Sequence, residues 1–294
     1  MQRATRVPIW GVHSPVYHVN DTSSTLDLAA ALLADTTTAT PHLTTIIADH
    51  QSAGRGRLGR TWTTPDGQAL LASTIVSLPT SFPTEMLGWL VHACALSVRD
   101  ALSLRLSSLG HTVSLKWPND VLVDGTRKIC GILAQLAPAS SPFTTSAILG
   151  YGINIAQDCD HLATPQATSL YVEGDTEAGT DPISVSHTLL AEILTGLDSR
   201  IRGLATHGNA RDCGLADEAA NALPLLGTRI ALAKPTDPNG HPAMEGVALG
   251  LSTTGSLLVA TDDGRTHDIS AGDVLATGIP LTTVHDTKEK RANN

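Results

Sequence analysis

The 294-residue sequence predicts an α+β fold, in which one mixed sheet with packed helices precedes a small antiparallel barrel. Three observations predict it. Apolar runs of strand length are separated by turn residues, and long helical patterns interrupt them at irregular intervals, unlike a repeating βαβ array. After about Pro224 the texture changes to short strand-like runs with glycines at or beside the turns between them. Finally, 41% of residues are hydrophobic but only 3% are aromatic, so Leu, Val, Ile and Ala must fill an ample core.

Ser23-Ser24-Thr25 is a cap-like start for a helix over 26–34. The run 43–48 reads as a strand entering a glycine-arginine loop, and 69–78 as a strand leaving it. The longest helix pattern covers 84–106, with Leu87, Leu90, Val91, Cys94, Val98 and Leu102 at helical spacing against one sheet face. Strand-like runs follow at 113–117, 121–123, 129–136 and 146–155. The Ala/Ser/Pro/Thr-rich stretch 138–146 reads as a mobile connection. A second long helix covers 184–204. The barrel strands are expected at 228–233, 244–251, 256–261 and 266–270, and the polar end 286–294 is expected to be disordered. The implied organisation is an N-terminal extension over 1–15, a catalytic domain over 16–223, the barrel over 224–280 and a disordered tail over 281–294.

Charge and composition exclude several classes. The formal net charge is −9, from 28 acidic and 19 basic residues, so no broad basic face is available for nucleic acid. The four cysteines form no C-x-x-C pair, and the twelve histidines form no zinc motif; reduced thiols of a cytoplasmic protein are expected. No segment has the length and apolarity of a signal peptide or membrane span. The sequence leaves room for a homodimer without specifying one.

Against this acidic background stands Gly54-Arg55-Gly56-Arg57-Leu58-Gly59-Arg60, three guanidinium groups in seven residues. Glycine permits close backbone approach, and arginine matches carboxylate and phosphate. A solvated charge run is the plainer reading, but it has no need of the intervening glycines. Gly54, Gly56 and Gly59 also satisfy G-x-G-x-x-G, yet the turn-rich 61–67 follows where a dinucleotide loop requires a helix. An anion-wrapping loop is expected.

Three further segments carry unusual residues. Lys116-Trp117-Pro118-Asn119-Asp120 ends a strand, either as a tight corner or as part of a site. In Arg127-Lys128-Ile129-Cys130-Gly131, Lys128 is either an edge residue or an ammonium aimed at a ligand packed on Gly131. In Gly150-Tyr151-Gly152-Ile153-Asn154-Ile155, a strand asparagine needs a hydrogen-bond partner, and its flanking glycines permit close ligand approach.

Together, and in this order, these segments resemble the biotin protein ligases, whose hallmarks are Gly-Arg-Gly-Arg-x-Gly-Arg, Lys-Trp-Pro-Asn-Asp, Arg-Lys-x-x-Gly-Ile-Leu and Gly-x-Gly-Ile-Asn. The resemblance spans roughly 16–278, with Gly272-Asp273-Val274 fitting the terminal barrel. It implies the class II synthetase-like biotin/lipoate ligase fold with an SH3-like C-terminal barrel. It also implies a biotin–[biotin carboxyl-carrier protein] ligase that uses ATP and Mg²⁺ to make biotinyl-5′-AMP, then biotinylates a lysine of a carrier domain. On the family pattern Ser24, Thr25, Gln51, Gly54, Arg55, Gly56, Arg57, Lys128 and Gly131 would bind biotin. Arg57, Arg60, Trp62, Asn119 and Asn154 would bind ATP or the adenylate, with Trp62 beside adenine. Arg55, Arg57, Lys128 and Asp120 would be catalytic, and Asp120 would serve the Mg²⁺. Core packing for Trp62 and an internal hydrogen bond for Asn154 remain alternatives. One departure is Leu26, where the family commonly has Asn. Only 22 residues precede Ser23, too few for the winged helix of repressor-type members, so DNA binding is not expected. A lipoate or octanoate ligase and a non-catalytic biotin or nucleotide sensor are the rival readings.

Overall fold

A computed structural model describes residues 4–35, 37–141, 144–233 and 242–279. The chain divides into two compact units, Met1–Pro224 with Thr253–Gly255, and Leu225–Ser252 with Ser256–Asn294.

The first unit is built on an eight-stranded sheet ordered β1-β2-β3-β4-β8-β7-β6-β5. Its strands are β1 (Thr5–Arg6), β2 (Val16–Thr22), β3 (Thr45–Gln51), β4 (Ala69–Pro79), β5 (Val113–Lys116), β6 (Asp120–Val123), β7 (Arg127–Ser141) and β8 (Thr144–Asn154). Every pair is antiparallel except β2–β3. Parallel neighbours need a crossover, and α1 (Thr25–Ala34) lies within it. Leu26, Ala29 and Leu33 recur at helical spacing and pack on Ile46, Ile75 and Ile148, one from each of the three central strands β3, β4 and β8.

Leu26 accounts for the sequence departure at that position. A Cβ on Gly150 would lie 2.9 Å from Leu26 Cγ, so the leucine occupies space that the glycine leaves. The side chain is 4% exposed and belongs to the core.

The expected long helix begins as a 3₁₀ turn (Thr84–Leu87) and continues as α2 (Gly88–Leu106). The next helices are α3 (Thr176–Thr180), α4 (Pro182–His207) and α5 (Leu215–Ala222). α4 packs against α2 and runs longer than its apolar pattern because both ends are capped. The Asp181 carboxylate accepts from Ser184 N, Pro182 opens the first turn, and Gly208 closes the last at φ 72°.

Of the stretch 138–146, the described residues belong to strands rather than to a loose connection. β7 runs to Ser141 and β8 starts at Thr144, with Ala137 opposite Ser146 and Ser141 opposite Thr144. Strands β1 and β2, helices α3 and α5 and, in the second unit, a strand over Asp273–Ile279 were not anticipated by the sequence pattern.

The second unit is a five-stranded antiparallel sheet in the order β12-β11-β10-β9-β13, from β9 (Arg229–Ala233), β10 (Pro242–Leu251), β11 (Leu257–Ala260), β12 (Thr266–Ile269) and β13 (Asp273–Ile279). Ile230, Leu232, Ala248, Leu257, Val259 and Val274 are among its buried apolar residues. Among the described residues no β12–β13 pairing closes a barrel. The tail expected to be disordered lies outside the described residues.

Candidate active site

The arginine loop leaves the end of β3 and is tied to itself by backbone bonds. Trp62 N donates to Gly54 O at 2.9 Å and Gly56 N to Arg60 O at 2.7 Å, while Arg55 pairs with Thr61 across the loop. Its tip turns through Leu58 and Gly59 at φ 58° and 74°. Gly54 is required for this closure, since a Cβ there would collide with the Trp62 carbonyl oxygen. Arg55 reaches Asp27 of α1 at 2.6 Å, both about half exposed, so the pair contributes about 0–1 kcal/mol. Arg57 Nη1 donates to Asn119 Oδ1 at 3.2 Å, and Arg60 is exposed.

Beside the loop, the start of α1 forms a buried polar cluster. Thr25 N and Oγ1 both donate to Gln51 Oε1, at 2.8 and 3.1 Å, and Ser73 Oγ donates to Thr25 Oγ1 at 2.8 Å. Ser24, the helix N-cap residue, is 1% exposed but makes no side-chain cap. The structure thus brings together Thr25 and Gln51, which the family resemblance assigns to one ligand, and adds Ser73, which reads in the sequence as an ordinary strand residue.

The third part lies on β6 and β7. Lys128 Nζ stands 2.6 Å from Asp120 Oδ1, a close ion pair without the alignment of a hydrogen bond. The Lys128 backbone is held by one facing segment through both of its polar groups: its N–H donates to Gln166 O at 2.7 Å and its carbonyl accepts from Thr168 N at 2.8 Å. Asn119 follows the cis Trp117–Pro118 bond and is fixed to β7, its Nδ2 donating to Ile132 O at 2.7 Å.

Gly131 and Gly152 are directly paired across β7 and β8. The indole of Trp62 covers both. A Cβ on Gly152 would lie 2.6 Å from Trp62 Cε2, and one on Gly131 would lie 3.1 Å from Trp62 Cζ3 and 3.3 Å from Lys128 Nζ. Lys128 Nζ is also 5.7 Å from the indole centroid, within cation–π range. Trp62 Nε1 is buried without a partner. The glycines expected to admit a ligand are therefore covered by the protein's own side chains, Gly150 by Leu26 and Gly131 and Gly152 by Trp62.

Asn154 takes the internal alternative. Its Nδ2 donates to Thr168 O at 2.8 Å, and its Oδ1 accepts from Gln157 Nε2 at 3.1 Å. At 6% exposure it joins β8 to the segment around Thr168.

For a metal, Asp120 offers one carboxylate, already neutralised by Lys128. Magnesium is commonly held by one or two carboxylates together with substrate phosphates, and that arrangement suits this residue better than an all-protein cage. Among the described residues, His111, Asp124 and Glu173 bring potential ligand atoms within 4.8 Å of one another. Arg127 already spans the two carboxylates of that group. It donates from Nε and Nη2 to Glu173 at 2.6 and 2.8 Å, and from Nη2 to Asp124 at 2.7 Å. Burial raises the pKa of Glu173, but hydrogen bonds from Arg127 and Thr168 outweigh it and leave the group below its ordinary value.

The Biotin/lipoate A/B protein ligase family model matches residues 20–154, and the Biotin protein ligase C terminal domain matches 236–275. A biotin--[acetyl-CoA-carboxylase] ligase of Mycobacterium tuberculosis is 35% identical over 230 residues, covering 78% of this chain and 77% of the relative. The chain belongs to the biotin protein ligase family. A second such ligase, from Paracoccus denitrificans, is 31% identical over 237 residues, or 79% of this chain and 90% of the relative. The biotin protein ligase of Aquifex aeolicus, solved in complex with biotin and ATP, shares the fold at a TM-score of 0.63 and 24% identity, covering 90% of this chain and 98% of that one. The four motifs of the biotin protein ligases all fall within the matched residues 20–154.

Proposed function

We propose that the protein is an ATP-dependent biotin protein ligase acting on a biotin carboxyl carrier domain. In the first step a biotin carboxylate oxygen attacks the α-phosphorus of ATP. The new O–P bond replaces the bond to pyrophosphate, giving biotinyl-5′-AMP. A carboxylate is already ionised at neutral pH, so the step needs two anions brought together and their charge offset rather than a base. The observation that carries this reading is the gathering of Lys128, Asp120, Trp62 and the Arg57–Asn119 pair beside the Thr25–Gln51 cluster, within a chain 35% identical to a named biotin ligase.

In this reading Arg55, Arg57 and Lys128 offset charge at the reacting carboxylate and phosphate. Ser24, Thr25 and Gln51 hold the polar head of biotin, with Gly54 and Gly56 shaping the loop over it. Arg60, Trp62 and Asn119 attend the nucleotide. The internal bonds of Asn154 support a positioning role for it instead of nucleotide contact. Magnesium would arrive on the phosphates of ATP and neutralise the pyrophosphate leaving group, with Asp120 the available carboxylate. For Gly131 to receive biotin, the Trp62 indole must move off the strand.

In the second step the carrier lysine amine attacks the acyl carbon. An amide forms, AMP leaves with the bonding electrons, and the amine proton passes to solvent or to a carboxylate such as Asp120. The decisive test is to mix protein, MgATP and a carrier domain with biotin or lipoate and to weigh the carrier. A mass gain with biotin supports the proposal, and a gain with lipoate alone overturns it. Pyrophosphate exchange without carrier modification would restrict the activity to the first step.

A further inference from the structure

Glu173 has no part in the family motifs, yet it is 4% exposed at its side chain and is bound by both Arg127 and Thr168. Its two oxygens receive the Nε and Nη2 of Arg127 side-on, at 2.6 and 2.8 Å. Oε1 also accepts from Thr168 Oγ1 at 2.6 Å. Arg127 adjoins Lys128 on β7, and Thr168 supplies the N–H that binds the Lys128 carbonyl. One carboxylate therefore fastens both sides of the backbone clamp on Lys128, the strand through Arg127 and the facing segment through Thr168. Neighbouring strand residues project to opposite faces, so Arg127 engages Glu173 while Lys128 engages Asp120 and Trp62. His111 and Asp124 complete the network, with His111 Nδ1 at 2.9 Å from Asp124 Oδ2 and its Nε2 at 3.5 Å from Glu173 Oε2. The charge this cluster requires is supplied by Arg127, which argues for an architectural use over a metal site.

We propose that Glu173 is a positioning residue for adenylate formation, acting through Arg127 and Thr168 to fix where the Lys128 ammonium stands. The inference rests on the ligase reading for its chemistry, but its geometry does not. A displaced ammonium neutralises charge poorly at the reacting centre, and misplacements of about 1 Å cost about 100-fold in rate.

The test is a double-mutant cycle on biotin-dependent ATP–pyrophosphate exchange. Glu173→Gln is expected to lower kcat about 10- to 100-fold, with KM for biotin and ATP within about twofold. In a Lys128→Ala background the same change is expected to add less than about twofold, because the group it positions is gone. An equal loss in both backgrounds assigns Glu173 a general structural role and overturns the proposal. Labelling of Lys128 by a succinimidyl ester, read by peptide mass, is independent of activity. A several-fold change in labelling rate in E173Q is expected, and an unchanged rate overturns the proposal. If the wild type shows no exchange, the ligase reading fails while the labelling ratio still decides the role of Glu173. Thr168→Val, nearly isosteric and removing only one attachment, is expected to act in the same direction more weakly. It carries the test if E173Q folds poorly, and wild-type labelling of Lys128 in T168V would then overturn the proposal.

Discussion

At the scale of single residues, Lys128 shows how a flexible ammonium is turned into a placed charge: both of its backbone polar groups are hydrogen-bonded to the segment 166–168 and its tip is held by Asp120 beside an indole face. Lys128→Ala should lower adenylate formation about 100- to 1,000-fold, the usual scale for losing one preorganised electrostatic contact. The ion pair is partly exposed, so stability should change by less than about 1 kcal/mol. Pyrophosphate exchange and a thermal melt on the same preparation separate the two effects. Gly152→Ala is the steric counterpart. Its methyl would stand 2.6 Å from Trp62 Cε2, so the ring must leave its bed. A loss of about 1–3 kcal/mol in urea unfolding is expected, together with a change in tryptophan emission that Trp62→Phe abolishes. The motif residues were legible in the sequence because their types are unusual for strands and turns. Glu173 and Thr168 were not, because their importance comes from contacts with Arg127 and Lys128, 46 and 40 residues away in the chain.

At the scale of elements, α1 joins recognition to packing. Its first turn presents Thr25 to Gln51 and Ser73, and the next residue, Leu26, to the sheet. Leu26→Asn, the substitution toward the common family residue, would place an amide against Ile75 and Ile148. A loss of about 3 kcal/mol in urea denaturation is expected, from lost apolar contact and an unpaired polar group. α1, β4, α2, β7, β8 and α4 were legible from periodicity. β2 was hidden because His18, Asn20 and Asp21 interrupt its apolar alternation. The outer halves of β7 and β8 were hidden because Ala, Ser and Pro read as loop, whereas the two strands stay paired there beyond a register shift between Ala137 and Ser141. The strands β9 to β12 of the terminal unit were anticipated from their spacing, but spacing carries no information on whether the last strands meet to close a barrel.

At the scale of the molecule, stability should depend on pH in two windows. His42, His92 and His187 all lie below the ordinary histidine value of 6.5, in each case chiefly because burial disfavours the charged form. The unfolded chain then binds more protons than the folded one between the lowered values and about 6.5. Their contribution is complete above about pH 6.5 and is lost as pH falls through the folded values. Glu173 and Asp124 are also lowered. Asp124 is held down by the Thr112 backbone N–H, His111 and Arg127, so a second loss begins below the ordinary carboxylate range. Melting temperature measured from pH 8 to pH 3 should fall in both windows, and His42→Gln should flatten the upper one.

The strand order has a consequence for synthesis. β8 lies between β4 and β7, so the sheet that carries Trp62 and Lys128 cannot close until residues 144–154 arrive. The segment that binds the Lys128 backbone, through Gln166 and Thr168, is supplied later still. A nascent chain that already displays Gly54–Arg60 and Lys128 therefore holds no assembled pocket. The pairings that complete it are long-range and slow to form. A ribosome-bound fragment ending before Thr168 is expected to remain inert, which keeps an incomplete chain from generating a reactive acyl phosphate.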